Sequence, residues 1–401
     1  MERTLKNTPA FPELSEEDLS ELTAFRHELH RYPELSGEEA ETARRVRGML
    51  EALSPDSVVE GLGGHGIAAI FDSGVPGPTI LFRSELDALP IEELGVSDHR
   101  STVPGKAHLC GHDGHSTILL GLGRVLARQR PDRGRAILMF QPAEEDGTGA
   151  KAVIEDPRFE ALRPDWAFSL HNSPEVPLGS ARLGAGPANC ASRGMWVRLT
   201  GSTAHASRPA DGVSPMRAIS ELMPALEGLG TGLPLGPSFS MVTLTHVSMG
   251  AKSYGVAPGE ALLLVTLRTV DDDEMEELTA KAEACIGQVA KAHGLALEFG
   301  YGDVFLASVN DPEATAVLEE GLRRAGVRHL LQEKPSVGSE DFGRFGLAGA
   351  KSAMLFLGAG PDCPAVHTPE YDFRDALIPM GVRIFSEALA ACLERHPADA
   401  A

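Results

Sequence analysis

The sequence predicts an α/β protein in two parts: a sheet with helices on both faces, and an α+β module inserted into it. Three observations carry this. Short apolar, β-branched runs alternate with helical segments through the first part and recur near the C-terminus. In the middle of the chain the order becomes strand, helix, strand, strand, helix, strand, that of a ferredoxin-like module. A chain of 401 residues is also long for one core. The boundaries implied are 1–183 with 300–401 for the first part and 184–299 for the insert.

Taken in order, Ser15-Glu16-Glu17-Asp18 opens a helix with a capping-box pattern, Leu19, Leu22, Phe25 and Leu29 follow at helical spacing, and Pro33 ends it. Residues 36–39 repeat the capping pattern before a second apolar face, Ala40, Ala43, Val46, Leu50 and Leu53. Strands are expected at 67–71, 79–82, 136–140, 166–170 and 353–357, with a helix at 115–130. In the insert, strands are expected at 195–200, 240–246, 261–269 and 295–299, with helices at 215–228 and 273–293.

The net charge of −21 leaves no basic footprint for phosphates, so nucleic acid is excluded as a partner. No apolar stretch is long enough to span a bilayer, so no membrane partner is expected either. Five scattered cysteines fit a reducing compartment better than a disulfide framework. Residues 1–6 lack a basic-then-apolar leader pattern, and the protein is read as cytoplasmic.

The most chemical stretch is Cys110-Gly111-His112-Asp113-Gly114-His115. Thiolate and neutral imidazole both ligate zinc-like metals, and Cys110 and His112 can enter one site from a turn. Alone, Cys110 reads more readily as a buried apolar thiol. Paired carboxylates, Glu144 and Glu145, follow one strand; His171-Asn172 ends another; His367-Thr368-Pro369 follows a third. A carboxylate pair after a strand is commonly a solvated loop, a reading that Gln141-Pro142-Ala143 weighs against. Asp87, Glu144 and His171 all fall at the C-terminal ends of expected strands, where open α/β sheets place their sites.

Residues 108–115, 140–145, 171–172, 338–342 and 367–373, with 30–36 near the N-terminus, together resemble the M20 family of metallo-amidohydrolases. The similar branch holds aminoacylases, hippurate hydrolases and IAA-amino acid (auxin-conjugate) hydrolases, and the resemblance runs in order from His27 to Phe373. It implies a mixed-sheet metallohydrolase domain with an inserted lid and dimerisation domain, working as a homodimer. It implies Cys110, His112, Glu145, His171 and His367 as ligands of two divalent metal ions. A thiolate ligand makes zinc the first choice, with manganese, cobalt or nickel open.

By the same resemblance Glu144 is the general base. In an extended chain it would point away from Glu145, since adjacent side chains alternate. Asp87 would orient a ligand imidazole. His205 would stabilise the oxyanion, commonly in the partner subunit's site, and Arg268 would clamp a substrate carboxylate. Asp113 reads as a helix cap or structural acceptor; His108 and His115 read equally as outer groups or packing. The chain has Glu85 where the family usually has Asp, which leaves open whether Glu85 touches metal. It has Gly255 where relatives carry a lid Asn. The expected activity is cleavage of an N-acyl or aminoacyl amino acid-like small molecule to a carboxylic acid and a free amine. The alternatives are a dipeptidase or biosynthetic deacylase with an atypical substrate, or a catalytically silent binding relative.

Overall fold

The computed structural model describes residues 11–236 and 238–395; residues 1–6, read above for a leader, lie outside them. The chain divides into two compact units, Met1–Ala188 with Val309–Glu333 and Asp341–Ala401, and Asn189–Ser308 with Lys334–Glu340.

Unit 1 begins with α1 (Glu16–Arg31) and α2 (Ala40–Glu51), then strands β1 (Ser57–Leu62), β2 (Gly66–Asp72) and β3 (Thr79–Glu85). After α3 (His112–Arg128) come β4 (Arg135–Gln141), α4 (Gly149–Glu155), β5 (Trp166–Ser173) and β6 (Ser180–Leu183). The short β7 (Gly186–Asn189) precedes the second unit. That unit contains β8 (Ala191–Thr200), β9 (Ala204–His205), α5 (Met216–Glu227), β10 (Ser240–Met249), β11 (Val256–Ala257), β12 (Glu260–Thr269), α6 (Asp272–Ala292) and β13 (Ala296–Phe305). The chain returns through β14 (Ser308–Asn310) to α7 (Pro312–Ala325), β15 (Arg328–Leu331), α8 (Gly343–Leu347), β16 (Lys351–Gly358) and α9 (Leu377–Glu394).

The unit 1 sheet is mixed, in the order β1-β2-β4-β3-β5-β16-β6-β15. Its central strands are buried on both faces, and the period-2 alternation divides their side chains between two cores. Ile67, Ala69, Phe71, Phe82, Leu138 and Phe168 join the core of α1, α3, α7 and α9. Ala68, Ile70, Leu81, Ile137 and Met139 face the smaller core of α4 and α8. At roughly 1.5–3 kcal/mol for each large apolar side chain buried, these two cores hold the strand ends rigidly.

In unit 2 the sheet runs β10-β12-β8-β13, antiparallel throughout, with α5 and α6 on one face. This is the ferredoxin-like arrangement expected from sequence. The strand read as ending at 299 continues along β8 to Phe305. Gly300 and Gly302 interrupt the apolar pattern there, and a Cβ at Gly300 would sit 2.7 Å from the Trp196 ring. Among the described residues no helix is long and apolar enough to cross a membrane.

The α1 capping box is present: Asp18 N donates to Ser15 Oγ at 3.1 Å, and Ser15 N donates to Asp18 Oδ2 at 2.7 Å. The second capping expectation fails, because Glu39 begins α2 without a side-chain cap and Ser36 donates instead to Asp87 Oδ2 at 2.8 Å. Asp18 also accepts from Arg124 (2.9 Å) and Arg128 (2.6 Å) and so ties α1 to α3. Burial raises its carboxyl pKa, but the bonds from Arg128, the Ser15 N–H and Arg124 outweigh this and hold it below the usual range. A depressed carboxyl contributes stability above its unfolded pKa of about 3.9 and loses it as pH falls through the folded value. Asp18→Asn should therefore cost about 1–2 kcal/mol at pH 7, discounted because Arg128 is 42% exposed. The gap in thermal midpoint from wild type should shrink below about pH 4. Equal midpoints at pH 7 would contradict this.

Candidate metal centre

Strands β4, β3, β5 and β16 are parallel neighbours and end at one edge of the unit 1 sheet. Asp87 lies two residues past β3, Glu144 and Glu145 follow β4, His171 is in the last turn of side chains on β5, and His367 is in the loop after β16. Cys110 and His112 flank Gly111, whose φ of 100° turns the chain into α3. A non-glycine residue is disfavoured at such a φ. That helix starts at His112 rather than at the expected 115, because the Gly111 carbonyl accepts from the N–H groups of Gly114 and His115.

The structure brings all five expected ligands together with Glu144 and Asp87. Cys110 Sγ lies 3.2 Å from His171 Nε2 and 3.3 Å from His367 Nε2. His367 Nε2 is 3.6 Å from Glu145 Oε2. His112 Nε2 is 3.9 Å from Glu144 Oε2 and 3.8 Å from Glu145 Oε1. Three overlapping donor groups result: Cys110, His112 and His171; Cys110, Glu145 and His367; His112, Glu144 and Glu145. Ala143 and His367 both adopt positive φ, 50° and 63°, which costs a non-glycine residue about 1–3 kcal/mol and is typical of functional sites.

Glu144 and Glu145 do not diverge as an extended chain would require. Residues 144–147 form a turn, closed by Gly147 N to Glu144 O and Gly149 N to Ala143 O, both 2.8 Å. Both carboxylates therefore reach the same His112 nitrogen. That nitrogen is buried and has no hydrogen-bond partner among the described residues, as a ligand atom aimed at a cation would be. The other ring nitrogen, Nδ1, donates to the Asp87 carbonyl at 2.9 Å, with Asp87 Oδ1 at 3.3 Å. Asp87 Oδ2 accepts from the Glu145 N–H at 2.9 Å, so Asp87 steadies an imidazole and a carboxylate together.

Glu85 is fully buried; one oxygen pairs with Arg83 and the other accepts from His115 Nδ1 at 2.8 Å. His115 Nε2 in turn accepts the Asn172 N–H at 3.1 Å, so both its nitrogens are engaged. Asp113 proves to be an acceptor, for His30 Nδ1 at 2.9 Å and Arg26 at 3.3 Å, while Gly111 occupies the cap position. His108 is buried, with neither ring nitrogen hydrogen-bonded among the described residues, and burial first of all pushes it down to about 4. Sequence reasoning assigned no role to Asp341, which accepts from Arg83 (2.6 Å), Gln141 (2.9 Å) and the Ala150 N–H (2.7 Å) beneath the strand ends. Its membership of the 338–342 motif was the available signal.

Burial disfavours a charged His112, but its bond to Asp87 and the Glu85 and Glu145 carboxylates raise it to about 10. Burial, helped by the His115 and His112 rings, pushes His171 down to about 3. Burial and the carboxylates of Glu145, Glu144 and Glu85 push the Cys110 thiol well above its usual range. Protons thus compensate a cluster of negative charge, and a divalent cation would displace them, since ligands bind deprotonated.

His205 and Arg268 belong to unit 2. His205 is exposed on β9, opposite Val256 of β11. Its Nδ1 accepts from the Ser207 N–H at 3.2 Å and lies 2.7 Å from Ser207 Oγ, which leaves the ring proton on Nε2. Arg268 donates to Ser339 Oγ (2.8 Å) and the Val337 carbonyl (3.1 Å), so one edge of its guanidinium holds the 334–340 segment of its own unit.

Known proteins are similar to this chain over most of its length. The N-acetyl-L-cysteine deacetylase of Bacillus subtilis is 30% identical over 347 residues, covering 85% of this chain and 81% of its own. The hippurate hydrolase of Campylobacter jejuni is 30% identical over 363 residues, covering 89% and 93%. The crystal structure of the Bacillus subtilis YXEP protein, described as a dinuclear metal binding peptidase from the M20 family, superposes with a TM-score of 0.78 at 24% identity, over 95% of this chain and 99% of that one. The pattern of peptidase family M20/M25/M40 matches residues 81–391, more than three quarters of the sequence: the chain belongs to that family and is a hydrolase of amide bonds.

Proposed function

We propose that the protein is a dinuclear metal-dependent amidohydrolase that cleaves an N-acyl or aminoacyl amino acid-like substrate to a carboxylic acid and a free amine. The observation that carries this reading is the overlap of donor groups at Cys110, His112 and Glu145, with Glu144 beside the same His112 nitrogen. Cys110, His112, Glu145, His171 and His367 would hold two divalent ions, zinc first because of the thiolate. A bound metal pair supplies Lewis-acid polarisation of a water and of the scissile carbonyl. Glu144 takes the proton from the attacking water and passes it to the leaving amine, and Asp87 keeps the His112 ring oriented. His205, through its Nε2–H, donates to the developing oxyanion. Arg268 binds a negatively charged group of the substrate with the edge not used on Ser339. The working form is taken to be a cytoplasmic homodimer.

Substrate choice is the test. The named relatives act on an N-acetylated and an N-benzoylated type of substrate by their names, but Gly255 lacks the side-chain amide of the usual lid Asn. Rates on a panel of N-acyl amino acids should show weak activity on simple N-acetyl compounds and better activity on bulkier ones. A Cβ at Gly255 would have only Ser253 Oγ near it, at 4.0 Å, so Gly255→Asn fits. It should sharpen discrimination by roughly 1–3 kcal/mol. Efficient cleavage of N-acetyl amino acids by wild type, unchanged in Gly255→Asn, would refute the substrate inference; no cleavage across the panel would refute the amidohydrolase reading.

A further inference from the structure

Asn172 follows the proposed ligand His171 and is 2% exposed, and all four of its hydrogen-bonding groups act on the metal-centre segments. Its side-chain NH2 donates to the Cys110 carbonyl at 3.0 Å. The side-chain oxygen accepts from the Tyr371 hydroxyl. The main-chain N–H donates to His115 Nε2 at 3.1 Å, and the main-chain carbonyl accepts from His171 Nδ1 at 2.7 Å. That last bond leaves the lone pair of His171 on Nε2, the nitrogen that faces Cys110 Sγ.

Tyr371 is fully buried in the loop that also carries His367, and His367 N donates to Leu109 O at 2.8 Å. The backbone between Cys110 and His112 lies tight against this pair. A Cβ on Gly111 would fall 2.2 Å from Asn172 Oδ1 and 2.8 Å from the Tyr371 oxygen. Asn172 and Tyr371 are both buried, so a missing partner leaves a buried polar group unsatisfied, a cost that movement of the Cys110 turn relieves.

We propose that Asn172, braced by the Tyr371 hydroxyl, is a positioning residue that fixes the Cys110 turn and the His171 ring in one relation and thereby sets metal affinity. This rests on the reading of Cys110 and His171 as ligands. Partners of metal ligands typically change affinity 10–100-fold when removed.

The test is zinc affinity of the folded protein by chelator competition, together with thermal midpoints and the thiolate absorption band of the cobalt(II)-loaded protein. Tyr371→Phe keeps the ring and removes only the hydroxyl; it should weaken zinc binding about 10-fold and shift the cobalt band. Asn172→Asp keeps the acceptor for Tyr371 but sets a carboxylate against the Cys110 carbonyl; it should weaken zinc by up to about 100-fold. Because Tyr371 acts through Asn172, the double variant should be no weaker than Asn172→Asp alone. Lower midpoints with unchanged zinc affinity and an unchanged band would make the pair merely structural and overturn the proposal. Cys110→Ser separates the two readings. If it weakens zinc while Tyr371→Phe stays at wild-type affinity, the brace is wrong and the ligand set stands. If Cys110→Ser itself keeps wild-type affinity, the ligand set is wrong and the brace falls with it. Should Asn172→Asp fail to fold, Tyr371→Phe decides.

Discussion

Glu144→Gln is expected to lower kcat by roughly 10²–10⁴, the usual size of a general-base contribution, with metal content kept. The glutamine preserves the volume of a residue that is only 5% exposed, and it cannot accept a proton. The fold should be indifferent, because the turn holding Glu144 is closed by main-chain bonds from Gly147 and Gly149. A KM close to wild type alongside the fallen kcat would mark the loss as one of chemistry rather than binding. The same variant tests the assembly. Mixed with His205→Ala chains, it should recover one working site per hybrid dimer if His205 serves the partner subunit. A Glu144→Gln enzyme with near wild-type kcat would move water activation to another group.

Stripping divalent metal with a chelator is expected to abolish activity, and adding zinc back should restore it, at about two ions per chain. The reason lies in the charge of the site. Burial and the carboxylates of Glu145, Glu144 and Glu85 together keep the proton on the Cys110 thiol. At His112 the bond to Asp87 with the Glu85 and Glu145 carboxylates outweighs burial and keeps the ring protonated. Metal binding should accordingly release protons, measurable as a buffer-dependent heat of binding. It should weaken as pH falls, since protons and metal compete for Cys110 and His112. Full activity in protein shown to be free of metal would overturn the reading at its base.

Parts of the site were legible because the chemistry is concentrated in short strings. Cys110-Gly111-His112 sets two donor side chains around one glycine, and His171 and Glu145 could be placed at strand ends from the apolar runs before them. The directions of side chains were not legible in the same way. Alternation along an extended chain put Glu144 and Glu145 on opposite sides, but Ala143 at φ 50° breaks the extension and turns both carboxylates toward His112. Ser36 looked like a helix cap, yet its hydroxyl goes to Asp87, 51 residues away. Arg268 carried the signature of a carboxylate clamp, and the structure shows one edge already used on Ser339 and Val337.

By itself the sequence determined the family, the α/β class, the ferredoxin-like order of the middle segment and the kinds of donor atom available. Those follow from local periodicity and from side-chain chemistry, which need no knowledge of distant contacts. Only the tertiary structure decided the strand order β1-β2-β4-β3-β5-β16-β6-β15, the commitment of Glu85 to Arg83 and His115, and the meeting of Asn172 with Tyr371 across 199 residues of chain. Each depends on which buried polar groups find one another once the cores have closed. That pairing is enforced by the cost of leaving any of them unsatisfied, and no local pattern records it.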